Sequence, residues 1–304
     1  MLGRIQRFLV VGLLLLALIL VSLNWRHSPT LCWLVALLFF TWHAVFLALE
    51  FGLAHWVNRQ DQAQRAGLGL MFLAWVGESL QAPRVFAWSQ PFRSGALPDQ
   101  LESVPNLAAQ GVVFVHGFFC NRGFWNPWLQ RLQSSGHVYA AVDLEPVFGS
   151  INDYVPIIDA AVKRVYAATG MPALVICHSM GGLALRAWLR KHQADALVAH
   201  VVTIGTPHQG TWLGRLSPTR NGRQMRLASR WLAELAQDEP AARASLFTCY
   251  YSNCDNIVFP TQSATMAGAD NRFVPGVAHV AMAFDERVMK ESLARLTSGS
   301  PAQR

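Results

Sequence analysis

The stretch Leu174–Val175–Ile176–Cys177–His178–Ser179–Met180–Gly181–Gly182 narrows the fold more than any other part of this chain. An apolar, largely β-branched run leads up to Ser179. A helix-forming run, Leu183 to His192, leaves it. A strand that turns sharply into a helix at a serine presents the hydroxyl at the tip of the turn, the context of a nucleophile elbow. Such a turn leaves room only for small residues two places before and two places after the serine. Gly181 satisfies that demand, and Cys177 satisfies it less well. A serine that merely caps a buried helix is the rival reading.

Around the elbow, strands alternate with helices. Gly111 to His116, His137 to Val142, Pro172 to Cys177, Ala199 to Ile204 and Leu246 to Tyr251 read as strands. Trp125 to Leu132, Ile157 to Ala168 and Asp285 to Leu296 have helical spacing. Alternation of this kind predicts an α/β fold, a mostly parallel sheet covered by helices on both faces. Before it, from Gln81 to Gln110, Pro83, Pro91, Pro98 and Pro105 occur among Ser and Gly, the composition of a linker.

The chain is too apolar for an ordinary soluble protein: 52% of its 304 residues are hydrophobic and only 14% charged. The excess lies at the N-terminus. Phe8 to Trp25 carries no charge, and Leu31 to Leu49 is a second uncharged stretch that continues past Glu50 to Trp56. Each is long enough to cross a bilayer as a helix, and the short connection around Arg26 to Thr30 makes the pair a hairpin. A cleaved signal peptide would need a small-x-small site after the first run; a second apolar run follows instead. Ala66 to Gly77 is too short to span comfortably and predicts an interfacial or domain-packing helix. The expected organisation is therefore a transmembrane hairpin over 1–60, an amphipathic helix and linker over 61–110, and a catalytic domain over 111–304. Arg4 and Arg7 precede the first span, while Arg59 and Arg65 follow the second, which puts both ends in the cytoplasm. Five cysteines give no disulfide framework.

A nucleophilic serine needs a base, and the base needs a third group to hold it. His279 stands in a turn before the last helix, and Asp255 stands just past the Leu246 strand. The order Ser179, Asp255, His279 suits acyl transfer: the serine attacks, the histidine moves the proton, and the aspartate fixes the imidazole. Asp143 and, less directly, Asp270 are the rival acids. His208 is a rival base or a structural hydrogen-bonder, His178 a packing and orienting residue, and His116 a brace for the loop after the first strand. The backbone N–H groups of Met180 and Phe118 are the candidate oxyanion donors; losing one such donor costs about 3 kcal/mol of transition-state stabilisation. No His, Cys and carboxylate cluster has metal-ligand spacing and no phosphate loop appears, so neither metal nor cofactor is expected.

From about Gly111 to Leu296 the chain resembles an α/β-hydrolase, and within that superfamily the bacterial lipases and esterases. The resemblance is carried by His116-Gly117-Phe118, His178-Ser179-Met180-Gly181-Gly182, Gly205-Thr206-Pro207-His208-Gln209-Gly210-Thr211, the Asp255 loop and the His279 turn. It implies a serine hydrolase of carboxylic esters working through an acyl-enzyme, without fixing the substrate. An acyltransferase or thioesterase with the same three residues, or a non-catalytic scaffold on this fold, are the alternatives. The segment before Gly111 offers little room for the superfamily's first strands, so the sheet should be reduced to about six strands. The resemblance does not extend to residues 1–80.

Where lipases carry a lid, residues 211–240 form an insertion. It holds Arg215, Arg220, Arg223, Arg226 and Arg230, with no acidic residue from Ala196 to Ala233. Met225, Ala228, Leu232 and Leu235 recur there at helical spacing. Two outcomes are open: a solvated basic helix, or a cap whose arginines meet anionic headgroups while Phe119, Met225 and Leu232 contact an acyl chain. The formal charge of +7 does not imply nucleic acid, since no module for it is recognisable. The expected protein is integral to a membrane, a bacterial inner membrane by the resemblance, with its catalytic domain on the cytoplasmic face and a lipid or other acyl ester as its partner.

Overall fold

The computed structural model describes residues 1–61, 65–102 and 110–296. Two long helices come first, α1 (Leu2–Asn24) and α2 (Pro29–Val57). They pack against each other as an antiparallel pair. Ser28 caps α2 by accepting the N–H of Leu31, and Pro29 opens its first turn, where a missing N–H costs nothing. Both helices are long and apolar enough to cross a membrane, with mean hydropathies of 2.4 and 2.1. Their leucines, tryptophans and phenylalanines face outward along most of their length.

Helix α3 (Leu68–Pro83) follows. One face, Met71, Ala74 and Glu78, is buried, while Leu68, Phe72, Leu73 and Leu80 stay exposed. The stretch from Gln81, expected to be a linker, is instead helical as far as Arg93. It passes through a π-helical turn, Arg84–Ser89, into the short α4 (Gln90–Arg93). Pro83 ends α3 and Pro91 lies in the first turn of α4, on either side of the widened turn, where the N–H of Gln90 reaches the carbonyl of Val85. Gln90 and Val85 are buried. Part of the expected linker, 103–109, lies outside the described residues.

The sheet has six strands: β1 (Val112–Val115), β2 (Tyr139–Ala141), β3 (Ala173–His178), β4 (Val198–Ile204), β5 (Phe247–Tyr251) and β6 (Asp270–Phe273). They run in the order β2-β1-β3-β4-β5-β6, every neighbouring pair parallel. Because helices cover both faces, the inner strands are apolar without alternation. Their two faces still separate. Val113, Val115, Val175, Cys177 and Val201 join one core with α6 (Val155–Thr169) and α7 (Met180–His192). Val112, Phe114, Leu174, Ile176 and Val202 join the other, with α5 (Asn126–Ser134), Trp125 and Trp128. Strand β6 escaped the sequence reading. It is an exposed edge strand, and Asp270, Asn271 and Arg272 give it no apolar signature.

The insertion between β4 and β5 is not one helix. It contains a 3₁₀ turn, Trp212–Leu216, then α8 (Arg220–Gln224) and α9 (Arg230–Gln237). Between α8 and α9 the chain breaks at Ala228, whose φ is 54°. The insertion is pinned to the domain. Beyond α9, Glu239 makes a buried ion pair with Arg186 of α7, 2.5 Å apart. Two short helices follow β6 among the described residues, α10 (His279–Met282) and α11 (Glu286–Ala294).

Candidate active site

Ser179 leaves β3 with φ 52° and ψ −128°, a backbone geometry that L-residues avoid unless the surroundings hold them there. The holders are visible. Ser179 donates its N–H to the carbonyl of Ile204 at 2.9 Å, and its own carbonyl accepts the hydroxyl of Thr206 at 2.8 Å. The turn is so tight that a Cβ on Gly181 would lie 2.3 Å from the carbonyl oxygen of Val115. Cys177, two residues before the serine, is accepted as a fully buried core side chain.

His279 opens α10. Its Nδ1 lies 2.9 Å from Oδ2 of Asp255, and both side chains are buried. The other carboxylate oxygen accepts the N–H groups of Ile257 and Val258 at 2.9 and 2.7 Å. An ionised carboxylate only accepts, so the hydrogen of this bond sits on Nδ1 and the lone pair of Nε2 is left for chemistry. Burial lowers the pKa of His279, but Asp255, with Glu78 and Glu50 behind it, outweighs burial and the net shift is upward.

His178 links this pair to the elbow. Its ring lies 4.6 Å from that of His279, and its Nε2 donates to the carbonyl of His279 at 3.2 Å. Burial, and then the neighbouring His279, push its pKa well down, so it stays a neutral spacer. Gly205, at the end of β4, completes the packing: with φ 58°, a Cβ there would lie 3.0 Å from Nδ1 of His279 and 3.1 Å from Oδ2 of Asp255.

The rival residues stand elsewhere. Asp143 is half exposed and accepts the N–H of Arg122. Asp270 pairs with Arg272 and Arg295 at the sheet edge. His208 is held by Thr203, Cys249 and the Arg186 side chain. His116 takes the bracing position expected of it: the N–H of Leu144 donates to its Nε2, and its Nδ1 donates to the carbonyl of Gly117. Phe118 and Phe119 follow in that loop, partly buried, and form an aromatic cluster with Phe148, which is 49% exposed. Met180 begins α7 directly after Ser179. Met225 and Leu232, expected to touch an acyl chain, are buried as packing residues that seat the insertion on the core containing Met180 and Leu183. Their helical spacing reflects that packing. Among the described residues, no group of three or more His, Cys, Asp or Glu is arranged to hold a metal ion.

Several residues around the site were not singled out from sequence. Asn256 accepts the N–H of His279 with Oδ1 and donates to Glu50 of α2 with Nδ2, at 3.2 and 2.7 Å. Glu78 of α3 accepts the N–H groups of Val280 and Ala281 at 2.8 and 2.9 Å. Burial is the main reason its pKa rises to about 7, against the pull of those two N–H groups. A lone acid within the apolar run Leu68 to Leu80 was the available signal, since a carboxylate there must find partners. The start of α1 is tied in as well. Gln6 bonds Gln90 and the carbonyl of Phe119, Arg7 bonds the carbonyl of Pro91, and the terminal amine of Met1 pairs with Glu145.

Comparison with known proteins agrees with this fold. A family profile described as "Alpha/beta hydrolase family" matches residues 112–296, and the chain belongs to that family. Among solved structures, the mature lipase BlEst2 of Bacillus licheniformis superposes with a TM-score of 0.56 at 18% identity, over 64% of this chain and 95% of that one. Lipase B of Aspergillus fumigatus gives 0.55 at 16% identity, over 64% of this chain and 55% of that one. At such identities the likeness is one of fold. Comparison with curated proteins found no match.

Proposed function

We propose that this member of the alpha/beta hydrolase family is a membrane-anchored serine hydrolase that cleaves carboxylic esters through Ser179, His279 and Asp255. The observation that carries the proposal is the buried Asp255–His279 pair, packed against the residue that precedes a strained Ser179. The division of labour follows from the atoms. The Ser179 hydroxyl attacks the ester carbonyl and gives its proton to Nε2 of His279. The oxyanion is taken up by the N–H groups of Met180 and Phe118. Collapse expels the alcohol, which receives the proton from His279. Water, deprotonated by the same nitrogen, then releases the acid and restores Ser179. Asp255 stabilises the imidazolium formed in each half.

Membrane anchoring is supported by where the apolar helices meet the domain. The first turns of α1 touch the loop that holds Phe118 and Phe119, while the end of α2 touches Asn256, next to Asp255. Asn58, just past α2, accepts the N–H of Thr261, and Trp56 meets Trp212 edge-on. The site thus lies at the foot of the hairpin, where an ester with its acyl chain in a bilayer is within reach. The exposed apolar face of α3 suits the membrane surface. With two spans and α3 docked on the domain, both ends share one side, which the arginine distribution makes the cytoplasm. The arginines fit an anionic lipid surface: Arg220, Arg223 and Arg230 line an open groove of about 600 Å³ with Ser150, Asn152 and Trp231.

A fluorophosphonate probe and a panel of esters graded by acyl length test the assignment on detergent-solubilised protein. Labelling and hydrolysis that vanish in Ser179→Ala support it; hydrolysis that persists overturns it. Replacing Arg220, Arg223 and Arg230 by Gln should slow turnover of esters in anionic vesicles and leave a short soluble ester unaffected. Equal loss on both substrates removes the lipid-surface role.

A further inference from the structure

The first turn of a helix leaves its N–H groups without helical partners. In α10 that turn begins with His279, and all three of its donors are taken by side chains. His279 donates to Asn256, and Val280 and Ala281 donate to Glu78. The first helical bond is that of Met282 to Ala278. Asn256 is in turn held by Glu50. Neither carboxylate belongs to the region 112–296 that matches the family; one comes from α2 and the other from α3. Around them, Phe51, Met71 and Ala74 pack against Cys254 and Ala278, the neighbours of Asp255 and His279.

Resting on the assignment of His279 as the base, we infer that Glu78 and Glu50 are positioning residues for that histidine, so that the site is fully formed only when α2 and α3 are docked on the hydrolase domain. Two effects are combined in one contact. Glu78 fixes the backbone just after His279, and Glu50, through Asn256, fixes the N–H of His279 itself; where ionised, both favour its imidazolium. The titratable groups that act on the His279 ring are then Asp255 from its loop, Glu78 from α3, Glu50 from α2 and neutral His178 from β3. Three of the four carry negative charge when ionised. Part of the electrostatic support for the His279 imidazolium therefore comes from the N-terminal helices.

The test is the pH dependence of fluorophosphonate labelling of Ser179 in the full chain, because labelling needs neutral His279 and does not depend on the natural ester. Wild type should lose reactivity on the acid side with a midpoint above pH 6.5. In Glu78→Gln the midpoint should fall by up to about one unit, as expected for removing a nearby opposite charge. The plateau rate should drop roughly tenfold or more as the histidine shifts. Glu78→Asp should return the midpoint toward wild type. Glu50→Gln, whose amide oxygen still accepts from Asn256, should move the midpoint in the same direction and covers the case in which the Glu78 variant fails to fold. Midpoints unchanged in both Gln variants, with unchanged thermal melting, would reduce the two acids to packing residues and overturn the inference. A wild-type chain that does not label at all instead sinks the hydrolase assignment itself.

Discussion

Oδ2 of Asp255 lies 2.9 Å from Nδ1 of His279, and both side chains are buried. Asp143, half exposed, lies 4.0 Å from His116 and bonds the backbone of Arg122. The two aspartates therefore predict opposite outcomes. Asp255→Asn should cost on the order of 10⁴ in kcat, because an amide at that place favours the wrong imidazole tautomer. Asp143→Asn should cost at most a few-fold. Ser179→Ala and His279→Ala should each lower kcat by about 10⁶, and the double variant by little more, since the three groups act as a unit. Steady-state kinetics on a short ester check the ranking; a more damaging Asp143→Asn would reassign the acid.

The pH profile follows from the upward shift of His279. A base must be neutral to take the serine proton. As pH falls through a pKa lying above 6.5, His279 protonates and kcat/KM declines with it. Half-maximal activity on the acid side should therefore fall above pH 6.5. A profile flat down to pH 6 contradicts the upward shift of His279.

Gly205 offers a substitution that separates activity from stability. Alanine there must adopt φ near 58° at a cost of about 1–2 kcal/mol. Its Cβ also presses on both Asp255 and His279. Gly205→Ala should lower the melting temperature modestly and kcat by a far larger factor. Loss of activity in proportion to loss of folded protein would show that the contact is of no catalytic consequence.

Removing the N-terminal helices tests whether they only anchor. On sequence grounds, a chain beginning near Gln81 is expected to be more soluble and to keep activity on short esters. In the structure that cut removes Glu50, Glu78 and the apolar residues covering Cys254 and Ala278. It leaves the N–H groups of Val280 and Ala281 without partners, at about 1–3 kcal/mol each if they stay buried. The shortened chain should melt lower and hydrolyse soluble esters poorly, which circular dichroism and a chromogenic ester measure. Full activity there would return the helices to the role of a simple anchor.

What could be read from the chain itself was whatever depends on neighbours in sequence. The inner strands are continuous apolar runs because a parallel sheet is buried on both faces, so β1, β3, β4 and β5 were legible. The elbow was legible because a sharp turn demands Gly181 locally. The sequence also narrowed the acid to three aspartates, but only the packing of the Asp255 loop against α10 brings one of them to His279. Tertiary structure alone decided the rest. Strand β6 owes its place to pairing with β5 rather than to any apolar pattern. The insertion's apolar spacing serves a core contact. Glu78 meets Val280 across 202 positions of sequence. No local pattern encodes that meeting. A carboxylate in an apolar helix announces that it needs donors, and the packing of α3 on α10 decides that those donors are the first N–H groups after His279.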